Sequence, residues 1–86
     1  MSKISIIMSV FNSEETLNNS IESILGQSFR DFEFLILDDC STDKSFKIAD
    51  KYRVKDKRIK LYRNEENLGL TKSLNILLEN SKGDYI

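Results

Sequence analysis

Phe34-Leu35-Ile36-Leu37-Asp38-Asp39-Cys40-Ser41-Thr42-Asp43 runs from an unbroken apolar strand into two adjacent carboxylates and then into residues suited to opening a helix. A strand apolar at every position is buried on both faces, the condition of a parallel sheet whose crossover helices cover both sides. Open α/β sheets hold ligands at the carboxyl ends of their strands. A carboxylate there must stay solvated or find donors, so the acid pair has two readings. It faces a polar ligand, or Asp38 simply ends the strand while Ser41, Thr42 or Asp43 caps the next helix.

Working outward, Ile4 to Val10 is a second near-continuous apolar run and predicts a central strand. Asn12 is placed to cap the following helix with Glu15 as its reciprocal partner, and Leu17, Ile21, Ile24 and Leu25 then repeat at helical spacing before Gly26. After the strand Phe32 to Leu37, a second helix carries Phe46, Ile48, Ala49 and Tyr52 on or near its buried side. Ile59 to Tyr62 is a shorter third strand. The polar turn Arg63-Asn-Glu-Glu-Asn-Leu-Gly69 leads to a third helix striped by Leu70, Leu74, Leu77 and Leu78 and ending near Lys82-Gly83. Asp84-Tyr85-Ile86 then begins a fourth strand. Right-handed crossovers between parallel strands stack the first three in the order 3-2-1, with the fourth on the far side of strand one. The expected architecture is a three-layer, Rossmann-like βαβαβα unit with a parallel sheet and a fourth strand only begun.

At 86 residues, one core is the limit. Thirteen basic and fourteen acidic side chains leave a net charge of −1, and the basic residues between Lys51 and Arg63 are interrupted by acids, with no aromatic ladder beside them. That pattern is a solvated helix end and loop, and no nucleic-acid partner is expected. Cys40 is the sole cysteine and there is no histidine, which excludes an internal disulfide and a mixed Cys/His metal site. The acid pair discourages a Cys40 thiolate. The Ile4 to Phe11 run is too short to span a bilayer and lacks the flanks of a secretory signal, so a cytoplasmic location is expected.

A ligand above strands one and two would meet Ser9, Phe11 and Asn12 from the first loop and Asp39 from the second. Asp39 could accept from the N3–H of a uracil-type base or from ribose hydroxyls, while Phe11 offers an apolar face. Phosphates belong elsewhere, because two acids repel a diphosphate unless a divalent cation intervenes. Gly26, Gly69 and Gly83 form neither a G-x-G-x-x-G nor a P-loop pattern.

The run Ile4-Ser-Ile-Ile-Met-Ser-Val-Phe-Asn-Ser-Glu14, then Ile24-Leu-Gly-Gln-Ser-Phe-Arg-Asp-Phe-Glu-Phe34, Asp38-Asp-Cys-Ser-Thr-Asp43, Asn67-Leu-Gly-Leu with Asn75, and Lys82-Gly-Asp-Tyr-Ile86 resembles the amino-terminal half of the family 2 glycosyltransferases. The resemblance covers essentially the whole chain, and the joint order of its pieces is more specific than any one of them. It implies a GT-A fold and a nucleotide-diphosphate sugar as donor, UDP-sugars being the family's habit. It also implies Mg²⁺ or Mn²⁺ as cofactor in the full enzyme, and a saccharide or lipid-linked acceptor. By position it assigns Asp39 to base or ribose, the Ser9 to Asn12 turn to the nucleotide pocket, and Glu14 to its margin. Ser9 stands where the family often has proline, and Phe11 where it often has tyrosine.

The same resemblance implies that the family's metal-binding D-x-D motif follows Tyr85-Ile86, with the catalytic base and acceptor site further on. Residues 1–86 are therefore expected to be a truncated nucleotide-sugar-binding portion that holds no metal tightly and does not catalyse transfer alone. The full enzyme could work at the cytoplasmic face of a membrane. Two other classes remain open at this point. One is a non-catalytic receiver-like α/β module, which its acid spacing disfavours; the other is an interaction unit that self-associates through an open sheet edge.

Overall fold

The computed structural model describes residues 4–27, 31–80 and 84–85, with side chains through residue 79. Its elements are β1 (Ile4–Val10), α1 (Leu17–Leu25), β2 (Phe32–Asp38), α2 (Ser45–Lys55), β3 (Ile59–Arg63), α3 (Leu70–Asn80) and β4 (Asp84–Tyr85). All the strand pairings are parallel and the sheet order is β3-β2-β1-β4. The expected 3-2-1 core, with strand four beyond strand one, is what forms. Among the described residues, β4 pairs with β1 at Ile4 and Ser5. Ile86 and the expected end of the third helix at Lys82-Gly83 lie outside the described residues.

Alternation along the central strand makes the three layers. Every residue of β2 is buried, because one side chain in two points to each covered face. Phe32, Phe34 and Ile36 join Ile6, Val10 and Ile59 under α1 and α2, which contribute Leu17, Ile21 and Ala49. Leu35 and Leu37 turn the other way onto Leu77 of α3, with Ile7, Tyr62 and Leu74 packed around them. The fully buried Phe34, Leu35 and Ile36 each contribute roughly 1.5–3 kcal/mol by leaving water.

Two local expectations change. α1 begins later than the sequence suggests, with Thr16 at its N-cap and no side-chain cap bond. Asn12 does not cap it with Glu15, because its amide is taken up across the sheet, as described below. Leu70 opens α3 but is 64 % exposed, so the buried stripe of α3 runs through Ser73, Leu74 and Leu77 without it. The physical reason lies at the tip of β2: beyond Leu37 the α3 side of the strand presents Asp39, a carboxylate that attracts backbone N–H groups rather than an aliphatic side chain.

Candidate functional site

Because β1, β2 and β3 are parallel and in register, their carboxyl ends reach one edge of the sheet together. The tips continue the ladder for one more step: Asp39 N–H donates to the Val10 carbonyl at 2.8 Å and Asn64 N–H to the Asp38 carbonyl at 2.9 Å. The residues after each strand therefore emerge side by side.

The adjacent acids have different fates. Asp38 is fully buried and sits between Val10 of β1 and Arg63 of β3 in the register. Its Oδ2 accepts from Ser41 N–H at 3.0 Å and lies 3.5 Å from Arg63 Nε. The Arg63 guanidinium also donates to the Ser41 carbonyl at 3.3 Å and stacks over Phe46, 4.8 Å from its centroid. Asp38 is thus structural: it shapes the turn into α2 and ties β2 to β3.

Asp39 turns toward the α3 side and gathers a loop. Its Oδ1 accepts from Leu68 N–H at 2.8 Å and from the Asn64 amide at 2.9 Å, and its Oδ2 from Gly69 N–H at 2.9 Å. Asn64 also donates to Ser73 Oγ at 3.2 Å, which fastens the first turn of α3 to the same cluster. Burial pushes the Asp39 carboxyl up, but the bonds from Leu68, Asn64, Gly69 and Ser73 outweigh it and hold the group below its ordinary value of 3.8. Gly69 adopts φ +89°, a left-handed conformation that a side chain would strain, and this lets successive N–H groups face one carboxylate.

The first two loops are stitched by side-chain bonds, among them the Thr42 hydroxyl donating to Asn12 Oδ1 at 3.4 Å. Asn12 N–H donates to Ser41 Oγ at 2.9 Å, Thr42 N–H to Asn12 Oδ1 at 2.8 Å, Ser13 N–H to Ser45 Oγ at 2.7 Å and Glu14 N–H to Asp43 Oδ2 at 3.2 Å. Asp43 Oδ1 takes Ser45 N–H at 2.9 Å, so this residue serves the start of α2 as well. Both strand tips pay in backbone strain, since Asn12 and Cys40 have φ 46° and 61°.

A cleft of about 390 Å³ opens at this edge, lined by Ser9, Phe11, Asp39, Asn67, Gly69 and Leu70. It brings together three of the five residues singled out in the sequence: Ser9, Phe11 and Asp39. The other two, Asn12 and Glu14, line an adjoining depression of about 380 Å³ with Ser13, Glu15, Thr16 and Asp43. Asn64, Asn67, Leu70 and Ser73 are site residues that the sequence pattern alone does not single out. The signal was available, because whatever follows a third parallel strand must reach the same edge as the tips of the first two. Among the described residues no three His, Cys, Asp or Glu side chains converge to hold a metal ion, and no helix is long and apolar enough to cross a membrane.

The site is that of an α/β protein with an open cleft at its strand tips, and comparison with known proteins specifies the class. The chain belongs to glycosyl transferase family 2, whose model matches residues 5–86. EpsE of Bacillus subtilis (strain 168), named as a glycosyltransferase, is 47 % identical over 85 residues, which cover 98 % of this chain and 31 % of EpsE. The crystal structure of S. aureus TarS 1-349 in complex with UDP-GlcNAc superposes with a TM-score of 0.88 at 33 % identity, covering 98 % of this chain and 26 % of that one. The mannosyltransferase PcManGT from Pyrobaculum calidifontis, solved with GDP-Man and Mn²⁺, shares the fold at a TM-score of 0.87 and 19 % identity, over 95 % of this chain and 25 % of its own. The architecture is therefore the Rossmann-like α/β sheet of GT-A glycosyltransferases, and the chain spans about a third or less of these relatives' length.

Proposed function

We propose that residues 1–86 form the nucleotide-sugar-binding portion of a glycosyltransferase that moves a sugar from a nucleotide-diphosphate donor to a saccharide or lipid-linked acceptor. The observation that carries this reading is the convergence of Ser9, Phe11 and Asp39 on one cleft at the strand tips. Phe11 supplies an apolar face for the base. Asp39 Oδ2, which takes one backbone N–H where Oδ1 takes two donors, accepts from the base or ribose. Asn12 and Glu14 act at the margin, Asn12 by holding the two loops in register.

A UDP-sugar is the favoured donor, in keeping with the UDP-GlcNAc held by TarS. The complete transferase would use Mg²⁺ or Mn²⁺ to offset charge on the departing diphosphate. The described residues do not fit that ion, so no step here runs through it. These 86 residues are proposed to bind nucleotide without turning it over.

Titrating UDP, GDP and CDP while following backbone amide shifts tests the reading. The expected result is saturable movement around Ser9, Phe11 and Asp39 with a dissociation constant of about 1 mM, equivalent to about 4 kcal/mol. An unchanged spectrum for all three nucleotides refutes binding, and hydrolysis or transfer of a UDP-sugar by the chain alone refutes the claim of inactivity.

A further inference from the structure

Two large apolar side chains stand exposed beside the same cleft: Phe11 at 46 % and Leu70 at 64 %. Leu70 could have continued the buried stripe of α3, and an aliphatic side chain left in water forgoes the stabilisation of burial. It is kept out by the cluster at Asp39, which pins Leu68 N–H, Gly69 N–H and the Asn64 amide directly ahead of it, while Asn64 also fastens Ser73 just after it. The segment is therefore held from both sides by polar bonds, and Leu70 is presented to the cleft by a fixed backbone. Apolar walls around a few placed polar groups, in a volume within the range of about 300–1,000 Å³, are the make-up of a small-molecule site.

We propose that Leu70 is a second apolar wall of the cleft, touching the face of the nucleotide base together with Phe11, and that Asn64 is a positioning residue that sets it there through Asp39. This rests on the nucleotide-binding reading above and adds to it a base-contacting residue from the third strand–helix connection. A flat aromatic base loses water where it meets the two apolar side chains, so the contact strengthens binding of any base and discriminates weakly among them.

The test is an amide-shift titration of the wild-type chain, Leu70→Ala, Leu70→Met and Phe11→Ala with UDP, and with ribose 5-phosphate as a probe lacking the base. Leu70→Ala is expected to weaken UDP about five- to tenfold while leaving its weaker ribose 5-phosphate response unchanged, and Leu70→Met to stay within about twofold. Because Leu70 is largely exposed, thermal midpoints should match the wild type. Asn64→Ala should weaken UDP and at the same time shift the amides of Leu68, Gly69 and Leu70 in the free protein. If Leu70→Ala binds UDP as the wild type does while Phe11→Ala is weakened, the role of Leu70 is overturned and the nucleotide site stands. Equal losses for UDP and ribose 5-phosphate also overturn it, since the contact would then not be with the base. If no variant, nor the wild type, responds to UDP, the nucleotide reading falls and this inference with it.

Discussion

The two ends of β2 each bury a carboxylate on the side facing α3, and they use it differently. At the entry, Glu33 accepts from the hydroxyl of its register partner Ser5 and has Lys60 Nζ at 3.8 Å from its Oε1. At the exit, Asp39 accepts from the backbone of a loop and from Asn64, beside an open cleft. Glu33 takes a hydroxyl from β1 and faces an ammonium on β3, so these contacts fix strand against strand. Asp39 is satisfied by a segment that would otherwise be free, so it builds a wall of a cavity. A buried acid is thus informative about function less through its burial than through what its donors belong to.

The sharpest way to break this contrast is Asp39→Ala. It releases two N–H groups and an amide from a charged acceptor, for an expected loss of about 2–3 kcal/mol in chemical denaturation, together with loss of the UDP response. A loss of stability with binding intact would show that the loop is held by other means. Acid should act on the same cluster. The Asp39 carboxyl is held below 3.8, as are those of Asp43 and Asp56, so the stabilisation they provide is complete above their unfolded values. It is lost as pH falls through the lower folded ones. Hydrogen-exchange protection at Leu68 and Gly69 should therefore hold at pH 5 and fade below about pH 3.8.

Glu33→Ala is expected to cost about 2 kcal/mol, through a vacated buried site and a Ser5 hydroxyl without this acceptor, and to leave the UDP dissociation constant of the folded fraction unchanged. A shift in that constant would mean that the two ends of the strand are coupled. Gly69→Ala should cost about 1–2 kcal/mol from its left-handed backbone alone, since an added Cβ at Gly69 meets nothing within 4 Å, and calorimetry reads that directly. Cys40→Gly is the smallest change and of opposite sign. Relief of φ 61°, offset by the greater freedom of glycine in the unfolded chain, should raise stability by about 0.5 kcal/mol. No gain would indicate that the Cys40 thiol bond to the Glu65 carbonyl, 3.4 Å long, holds more than a weak sulfur donor should.

Much of the architecture was legible because it is written in runs and periods. Ile4 to Val10 and Phe32 to Leu37 are apolar except at Ser5, Ser9 and Glu33, a near-continuous pattern that a doubly covered sheet accommodates, and the spacing of Leu17, Ile21 and Ile24 belongs to a helix. Asp39 stood out for the same reason, as a polar residue where an apolar strand ends. Asn12 was placed at the right edge but given the wrong partner. A local cap and a bond to a loop thirty residues away use the same amide, and nothing in the neighbouring sequence ranks one above the other. Leu70 was misassigned because a leucine at helical spacing has the same pattern whether it packs or lines a cleft.

By itself the sequence determined the order of strands and helices, the parallel sheet and the edge at which a ligand could sit, since these follow from hydrophobic period and the handedness of crossovers. The tertiary structure alone decided which of two adjacent acids would be sealed against Arg63 and which would gather the loop before α3. It also decided which apolar side chains would remain open to the cleft. Those outcomes depend on donors brought close by strand register, and distance in space between residues far apart in the chain is not a property that local pattern encodes.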